Sequence, residues 1–182
     1  MKSLKGKLIL DHGKLAGSEF HRTVVLVCQH DAAGAFGLVL NRRTDRTVGE
    51  SIAASVPEAV GALPVFLGGP VQPQALSFLI REPGMPDANV MSGLHLAHSL
   101  DELAGADGNV SPQRQFKFFA GYAGWGPGQL DNEMQRDAWL VHPASLELVF
   151  HSQPAELWRS ILRGLGGEHR LLADAPDDLS WN

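Results

Sequence analysis

The chain has 182 residues, of which 44% are hydrophobic and 19% are charged, a balance typical of globular rather than disordered proteins. Its formal net charge is −5, with no Lys/Arg block longer than Arg42-Arg43, which argues against direct nucleic-acid binding because such binders usually carry a basic stripe. Cys28 is the only cysteine, which excludes an internal disulfide and a CxxC metal site.

The first half of the chain is rich in strand signals. A short strand is predicted at residues 7–10, and its apolar run is too short for a signal-peptide core. The continuous, β-branched segment at residues 23–29 predicts a central strand covered on both faces, and residues 35–40 predict its antiparallel hairpin partner. A polar loop is expected next. Thr47 and Glu50 have capping-box spacing, which predicts a short helix to about residue 54.

The middle of the chain predicts further strands at residues 65–67 and 75–80, with weaker strand signals at Val90 and residues 94–96. Residues 81–86 are expected to form a loop, and a second capping box at Ser99 predicts a helix to about residue 105. No apolar run approaches the ~20 residues of a membrane span, so we expect a cytoplasmic protein without a membrane segment.

The last third predicts strands at residues 116–120, 138–141 and 146–150, the last two forming a second hairpin or meander. An amphipathic helix begins at Pro154 and ends at the glycine pair 166–167, and the remaining acidic tail is expected to be irregular. Since repeats and linkers are both missing, one α+β domain over residues 1–182 is predicted.

The most informative segment is residues 119–133, which contains four glycines, the only tyrosine and Trp125. We predict a strand, a sharp glycine-rich turn and a helix from about Pro127 to residue 136. Gln129 and Glu133 lie four residues apart and so share a helix face beside Trp125. They can form a structural network that satisfies the backbone of the glycine loop, or they can take part in catalysis, and both are candidates for contact with a ligand or partner.

Two other segments are candidate binding elements. Gly68 and Gly69, followed by Pro70, lack the Gly-Lys-Ser/Thr of a phosphate loop, so they form either a tight turn or a backbone-lined concavity for an anion or carbonyl. Asn41 and Arg42 directly follow a predicted strand. They either tether a loop or contact a ligand, Arg42 through a two-pronged bond to a carboxylate.

The sequence predicts neither a metal site nor catalytic residues. His95 and His98 are three residues apart, so in a strand they face opposite sides and cannot share an ion. A Gly-x-Ser-x-Gly elbow is missing from the chain. Asp131 and Glu133 face different directions on the predicted helix, and Cys28 is expected to be a small core residue. A cofactor is likewise not predicted.

Four segments in order resemble the successive motifs of the YqgE/AlgH family, and the resemblance covers nearly the whole chain. These segments are Phe20-His-Arg-Thr-Val-Val, Gly34-Ala-Phe-Gly-Leu-Val-Leu-Asn-Arg42, Val65-Phe-Leu-Gly-Gly-Pro-Val71 and Gly121-Tyr-Ala-Gly-Trp-Gly-Pro-Gly-Gln-Leu-Asp-Asn-Glu133. The resemblance implies an α+β fold with a bifurcated, mostly antiparallel sheet rolled into a pseudo-barrel and with peripheral helices. It also implies a label as transcriptional regulator of alginate production, without established catalytic residues or cofactor.

We therefore expect a non-catalytic module that binds an unknown small molecule or protein and affects transcription indirectly, since a basic recognition helix is not recognisable. The alternative is a hydrolase in which Glu133 is the general base and Arg42 orients an anion. The sequence does not determine the oligomeric state. The candidate binding residues are Asn41, Arg42, Gly68, Gly69, Trp125, Gln129 and Glu133.

Overall fold

The computed structural model describes residues 2–52, 54–82, 88–99 and 111–176. Within these ranges the strands are β1 Lys7–Asp11, β2 Val24–Asp31, β3 Gly34–Val39, β4 Arg43–Thr47, β5 Pro64–Leu67, β6 Val71–Arg81, β7 Leu94–Ala97, β8 Phe116–Trp125 and β9 Trp139–Pro143. The helices are α1 Val48–Ser51, α2 Glu58–Gly61, α3 Pro112–Gln115, α4 Gln129–Gln135, α5 Leu146–Val149, α6 Leu157–Leu165 and α7 Gly167–Asp174, and a 3₁₀ turn at Pro154–Glu156 precedes α6. None of these helices combines the length and the apolar character that a bilayer crossing requires.

The nine described strands form one sheet in the order β4-β5-β8-β3-β2-β1-β9, with β6 paired to β8 and β7 paired to β6. Strand β8 pairs with β5 along its first half and with β3 along its last residues, so the sheet bifurcates there. The β5–β8 pair is parallel, and the other pairs among the described strands are antiparallel. The expected α+β fold with a bifurcated, mostly antiparallel sheet is confirmed, and the sheet is not closed into a barrel.

Strands β1 and β2 carry apolar side chains on both faces, because successive residues of a strand point to opposite sides. On one face Leu26 packs in a cluster with Trp158 and Leu162 of α6. On the other face Val25 and Val27 pack in a second cluster, which also contains Trp125 and Trp139. The prediction that β2 is a central strand covered on both faces is therefore confirmed, as is its hairpin with β3.

Two predictions of local structure are wrong. Residues 43–47, expected as a polar loop, form the edge strand β4, which pairs with β5 on one side. An edge strand exposes much of its surface and can therefore have a polar sequence. Apolar patterns do not identify such a strand. Residues 146–149, expected as a strand, form helix α5, because Ser145 caps the helix by accepting a hydrogen bond from the Leu148 N–H. The predicted second hairpin is therefore absent from the described residues, and β9 pairs with β1 instead.

The last described residues contain more helix than expected. The predicted amphipathic helix is confirmed as α6, although it begins at Leu157, after the 3₁₀ turn that starts at Pro154. It ends at Leu165 and is capped by Gly166 with φ +70°. Helix α7 follows where an irregular tail was predicted, and Leu172 of α7 packs against the core. The capping box at Thr47 is confirmed, although α1 ends already at Ser51. Residues 100–105 of the predicted helix and residues 83–86 of the predicted loop lie outside the described residues.

Candidate functional site

The glycine-rich segment is mostly strand rather than turn, so the prediction of a sharp turn beginning at Gly121 is wrong. Strand β8 continues to Trp125, which pairs with Ala35 of β3. Gly121 has φ +70° and lies opposite the register shift in β6, which is why the strand can continue through this point. The turn is confined to residues 126–128, and α4 begins at Gln129.

Gly68 and Gly69 allow two backbones to pack closely. A Cβ atom added to Gly68 would lie 2.2 Å from the Gly121 carbonyl oxygen, and one added to Gly69 would lie 2.3 Å from the Tyr122 carbonyl carbon. The Gly68 N–H donates to the Ala120 carbonyl, and the Gly68 carbonyl accepts from the Val39 N–H, both at 2.9 Å. The glycine pair therefore links β3 to β8.

The Glu133 carboxylate binds two buried indoles. Its Oε2 atom accepts hydrogen bonds from Nε1 of Trp125 at 2.9 Å and from Nε1 of Trp139 at 2.8 Å, and its Oε1 atom accepts from Nε2 of Gln129 at 3.0 Å. Gln129 Oε1 in turn accepts from the Gly126 N–H at 3.1 Å. This arrangement, which we call the indole–carboxylate cluster, places Gln129 and Glu133 on one helix face, as their spacing predicts, and agrees with the first of the two alternatives, a structural network.

Phe20 connects this cluster to the surface. Its ring stacks on Trp125 with centroids 6.3 Å apart and meets Trp139 edge-on at 5.6 Å. Phe20 also lines a cleft of about 300 Å³, which we call the Arg42 cleft. The residues lining this cleft are Ser18, Glu19, Phe20, Val39, Arg42, Leu67, Gly69 and Pro70.

The Arg42 cleft combines an exposed cation with apolar surface. The exposed Arg42 guanidinium donates to the His21 carbonyl, which is its only hydrogen bond among the described residues. A guanidinium has five N–H donors in a planar fork. Leu67 is 43% exposed in the same cleft, and its N–H donates to the Arg42 carbonyl at 2.8 Å. The site can therefore hold an anionic group beside an apolar one.

The structure brings some of the candidate residues together and separates others. Arg42 and Gly69 line the same cleft. Asn41 points into the protein instead, where Oδ1 accepts from the Val24 N–H and Nδ2 donates to the Arg22 carbonyl. The indole–carboxylate cluster packs against Phe20 and does not line the cleft. Gly68 does not line the cleft either, and its backbone hydrogen bonds link β3 to β8. Phe20 and Leu67 are not among the site residues predicted from the sequence. Phe20 could have been recognised, because it is an aromatic residue in the polar segment between two predicted strands.

The geometry does not favour a general base or a nucleophile among the candidates. Both oxygens of Glu133 accept hydrogen bonds from side-chain N–H groups, and Glu133 does not line the Arg42 cleft. Cys28 is buried, and this burial raises the pKa of its thiol, which keeps it in the unreactive protonated form. The described residues contain no group of three or more His, Cys, Asp or Glu side chains that could hold a metal ion.

Comparison with known proteins places the chain among proteins of similar length. A family model described as AlgH-like matches residues 8–170. A UPF0301 protein of Myxococcus xanthus is 37% identical over 180 residues, covering 94% of this chain and 96% of the relative. The solution structure of the AlgH protein from Pseudomonas aeruginosa is similar with a TM-score of 0.72 and 27% identity, covering 98% of this chain and 100% of that one. A crystal structure from Corynebacterium diphtheriae shares the fold with a TM-score of 0.76 at 24% identity, covering 96% and 94% of the two chains.

Proposed function

The chain belongs to the AlgH-like family of bacterial proteins, and we propose that it is a non-catalytic binding module whose Arg42 cleft recognises a small molecule with a carboxylate next to an apolar group. The observation that carries this proposal is the convergence of three segments, residues 18–20, 39–42 and 67–70, around one cleft. Its volume of about 300 Å³ lies at the lower end of the range usual for small-molecule sites.

The lining of the cleft favours one class of ligand over others. Arg42 offers a planar fork that matches a carboxylate, while Phe20, Val39 and Leu67 offer apolar surface. Glu19 lines the same cleft and would repel a highly charged anion. A single carboxylate is therefore favoured over a phosphate group. The indole–carboxylate cluster supports the site by holding the indoles on which Phe20 packs.

In this proposal the protein affects transcription only indirectly, without binding DNA itself. The net charge of −5 does not suit an autonomous DNA-binding protein. We therefore propose a cytoplasmic protein in which occupancy of the Arg42 cleft changes contact with a protein partner. The hydrolase alternative has less support, because Glu133 accepts hydrogen bonds from two indoles and Gln129 and does not line the Arg42 cleft.

The test is a calorimetric titration with N-acetyl-L-phenylalanine and, as the uncharged control ligand, its amide. The acid is expected to bind with a Kd below about 1 mM, and the amide at least about tenfold more weakly. Arg42→Gln should weaken binding of the acid to the same extent, whereas Arg43→Gln should leave it unchanged. Equal affinity for the acid and the amide, or an unchanged Kd in Arg42→Gln, would contradict the proposal.

A further inference from the structure

Lys117 is unusual among the five lysines of the chain. Lys2, Lys5, Lys7 and Lys14 are exposed, whereas Lys117 is only 6% exposed within β8. Its Nζ atom donates to the Val149 carbonyl at 3.0 Å and lies 4.3 Å from the centroid of the Phe66 ring. Among the described residues no carboxylate pairs with it. The protein therefore buries an amine without a compensating anion in the described part of the chain.

Lys117 is one of the residues that line a second cleft of about 340 Å³, which we call the Lys117 cleft. Phe66, Phe116 and Phe150 supply its aromatic walls, and Arg43 and His151 are the other titratable residues lining it. It shares no lining residue with the Arg42 cleft. Lys117, Arg43 and apolar side chains thus line one cleft, and this cleft has no role in the proposed function.

Burial makes this amine chemically suited to nucleophilic attack. The loss of hydration in this apolar setting lowers the pKa of Lys117 to about 7. Exposed lysines usually titrate near 10.4, so at neutral pH they are almost entirely protonated, whereas a large share of Lys117 carries a free electron pair. Desolvation in an apolar pocket is a known way to activate lysine for Schiff-base formation.

We propose that Lys117 forms an imine with a small 2-oxo acid, such as glyoxylate, that enters the Lys117 cleft and places its carboxylate against Arg43. The neutral Nζ attacks the carbonyl carbon, so a C–N bond forms and the carbonyl π-electron pair moves to oxygen. A proton passes from nitrogen to oxygen to give a carbinolamine. Protonation of the hydroxyl group then releases water, and the nitrogen lone pair completes the C=N bond. Neither partner is oxidised or reduced.

The aromatic walls of the cleft suit this reaction because they limit the access of water to the imine. Arg43 supplies the specificity, since a carboxylate adjoining the carbonyl group would form a charge-assisted hydrogen bond with its guanidinium. The site would therefore prefer glyoxylate to an uncharged aldehyde of similar size, such as propanal.

The test is reductive trapping of the full-length protein at pH 7 with glyoxylate and cyanoborohydride, followed by peptide mass spectrometry. Labelling at Lys117 should exceed that at each exposed lysine at least about tenfold. Arg43→Gln should lower labelling at Lys117 at least about fivefold, whereas Arg42→Gln should not.

Three outcomes would overturn the proposal. Labelling of the exposed lysines that equals or exceeds that of Lys117 would refute a nucleophilic role for the buried amine. Equal trapping of glyoxylate and propanal, or an unchanged yield in Arg43→Gln, would refute anion recognition by Arg43. The decisive comparisons use the wild-type protein and variants at exposed positions, so they do not depend on the folding of a Lys117 variant.

Discussion

Arg42 and Arg43 are adjacent in the chain but line two different clefts, Arg42 the one walled by Phe20 and Arg43 the one that contains Lys117. One short segment therefore contributes a guanidinium to each of the two sites. Each arginine is consequently a matched control for the other, because the two substitutions remove the same charge from neighbouring exposed positions.

The indole–carboxylate cluster should contribute strongly to stability. Replacing Glu133 by Ala leaves the indole N–H groups of Trp125 and Trp139 without their acceptor, although both side chains are buried. The free energy of unfolding should fall by about 2–4 kcal/mol, as two buried donors lose their partner. Urea denaturation followed by tryptophan fluorescence measures this loss.

Two comparisons make this prediction specific. Glu133→Gln should cost less than Glu133→Ala, because the amide oxygen can still accept from the indoles. Asn132→Ala, at an exposed position of the same helix, should cost well under 1 kcal/mol. A loss in Glu133→Ala no larger than that in Asn132→Ala would show that the cluster does not stabilise the fold.

Asn41 should be a structural residue. Its amide accepts from the Val24 N–H at 2.9 Å and donates to the Arg22 carbonyl at 2.8 Å. Asn41→Ala should therefore lower the free energy of unfolding by about 1–3 kcal/mol. Asn41→Asp should cost at least as much, because the carboxylate keeps the acceptor but faces the Arg22 carbonyl without a donor. Unchanged urea midpoints in both variants would leave ligand contact as the role of Asn41.

Lys117 should make the stability of the protein depend on pH between about 7 and 10. Its pKa is about 7 when folded, against an ordinary value near 10.4 for an unfolded chain. In this window the unfolded chain binds more protons, so the free energy of unfolding rises with pH by up to about 1.4 kcal/mol per pH unit. Below about pH 7 both states are protonated and the slope from this group vanishes.

The measurement is urea denaturation of the wild type and of Lys117→Met at pH 7, 8 and 9. Groups other than Lys117 contribute equally to both proteins, so the difference between the two stabilities isolates this lysine. The free energy of unfolding of the wild type minus that of Lys117→Met should increase as the pH rises. A difference that stays constant over the three values would mean that Lys117 is not buried as an uncompensated amine.

Cys28 should be inert in the folded protein. It is buried in β2, its Sγ atom lies 3.7 Å from the Leu26 carbonyl oxygen, and burial raises the pKa of the thiol. Reaction with a thiol reagent should be at least about a thousandfold slower in buffer than in urea, because it requires opening of the core. The double variant Cys28→Ala with Leu171→Cys is the control, since Leu171 is 76% exposed and its cysteine should react at once. Equal rates for the two folded proteins would contradict the burial of Cys28.

The strands that were predicted correctly are those whose signal is local and apolar. The run at β2 needs no partner to be recognised, since its Val and Leu residues reveal burial on both faces. The polar edge strand β4 and the helix α5 were not recognised, because one is determined by pairing with β5 and the other by the cap at Ser145. Both depend on context that apolar periodicity does not contain.

The site was predictable only where contacts are near in sequence. The four-residue spacing of Gln129 and Glu133 predicts their hydrogen bond, whereas the bond to Trp139 requires strand β9 to return beside α4. Phe20 and Leu67 meet Arg42 through long-range pairing of β3, β5 and β8. Lys117 gave a local signal that was overlooked, a single charge between aromatic residues in Phe-Lys-Phe-Phe.

The most direct test of the central claim is chemical-shift mapping of ¹⁵N-labelled protein titrated with N-acetyl-L-phenylalanine. Saturable amide shifts should be concentrated in residues 18–20, 39–42 and 67–69, the segments that line the Arg42 cleft. They should be lost in Arg42→Gln and retained in Arg43→Gln. Shifts of the same size in Arg42→Gln, or shifts located away from these three segments, would contradict the assignment of the Arg42 cleft as the ligand site.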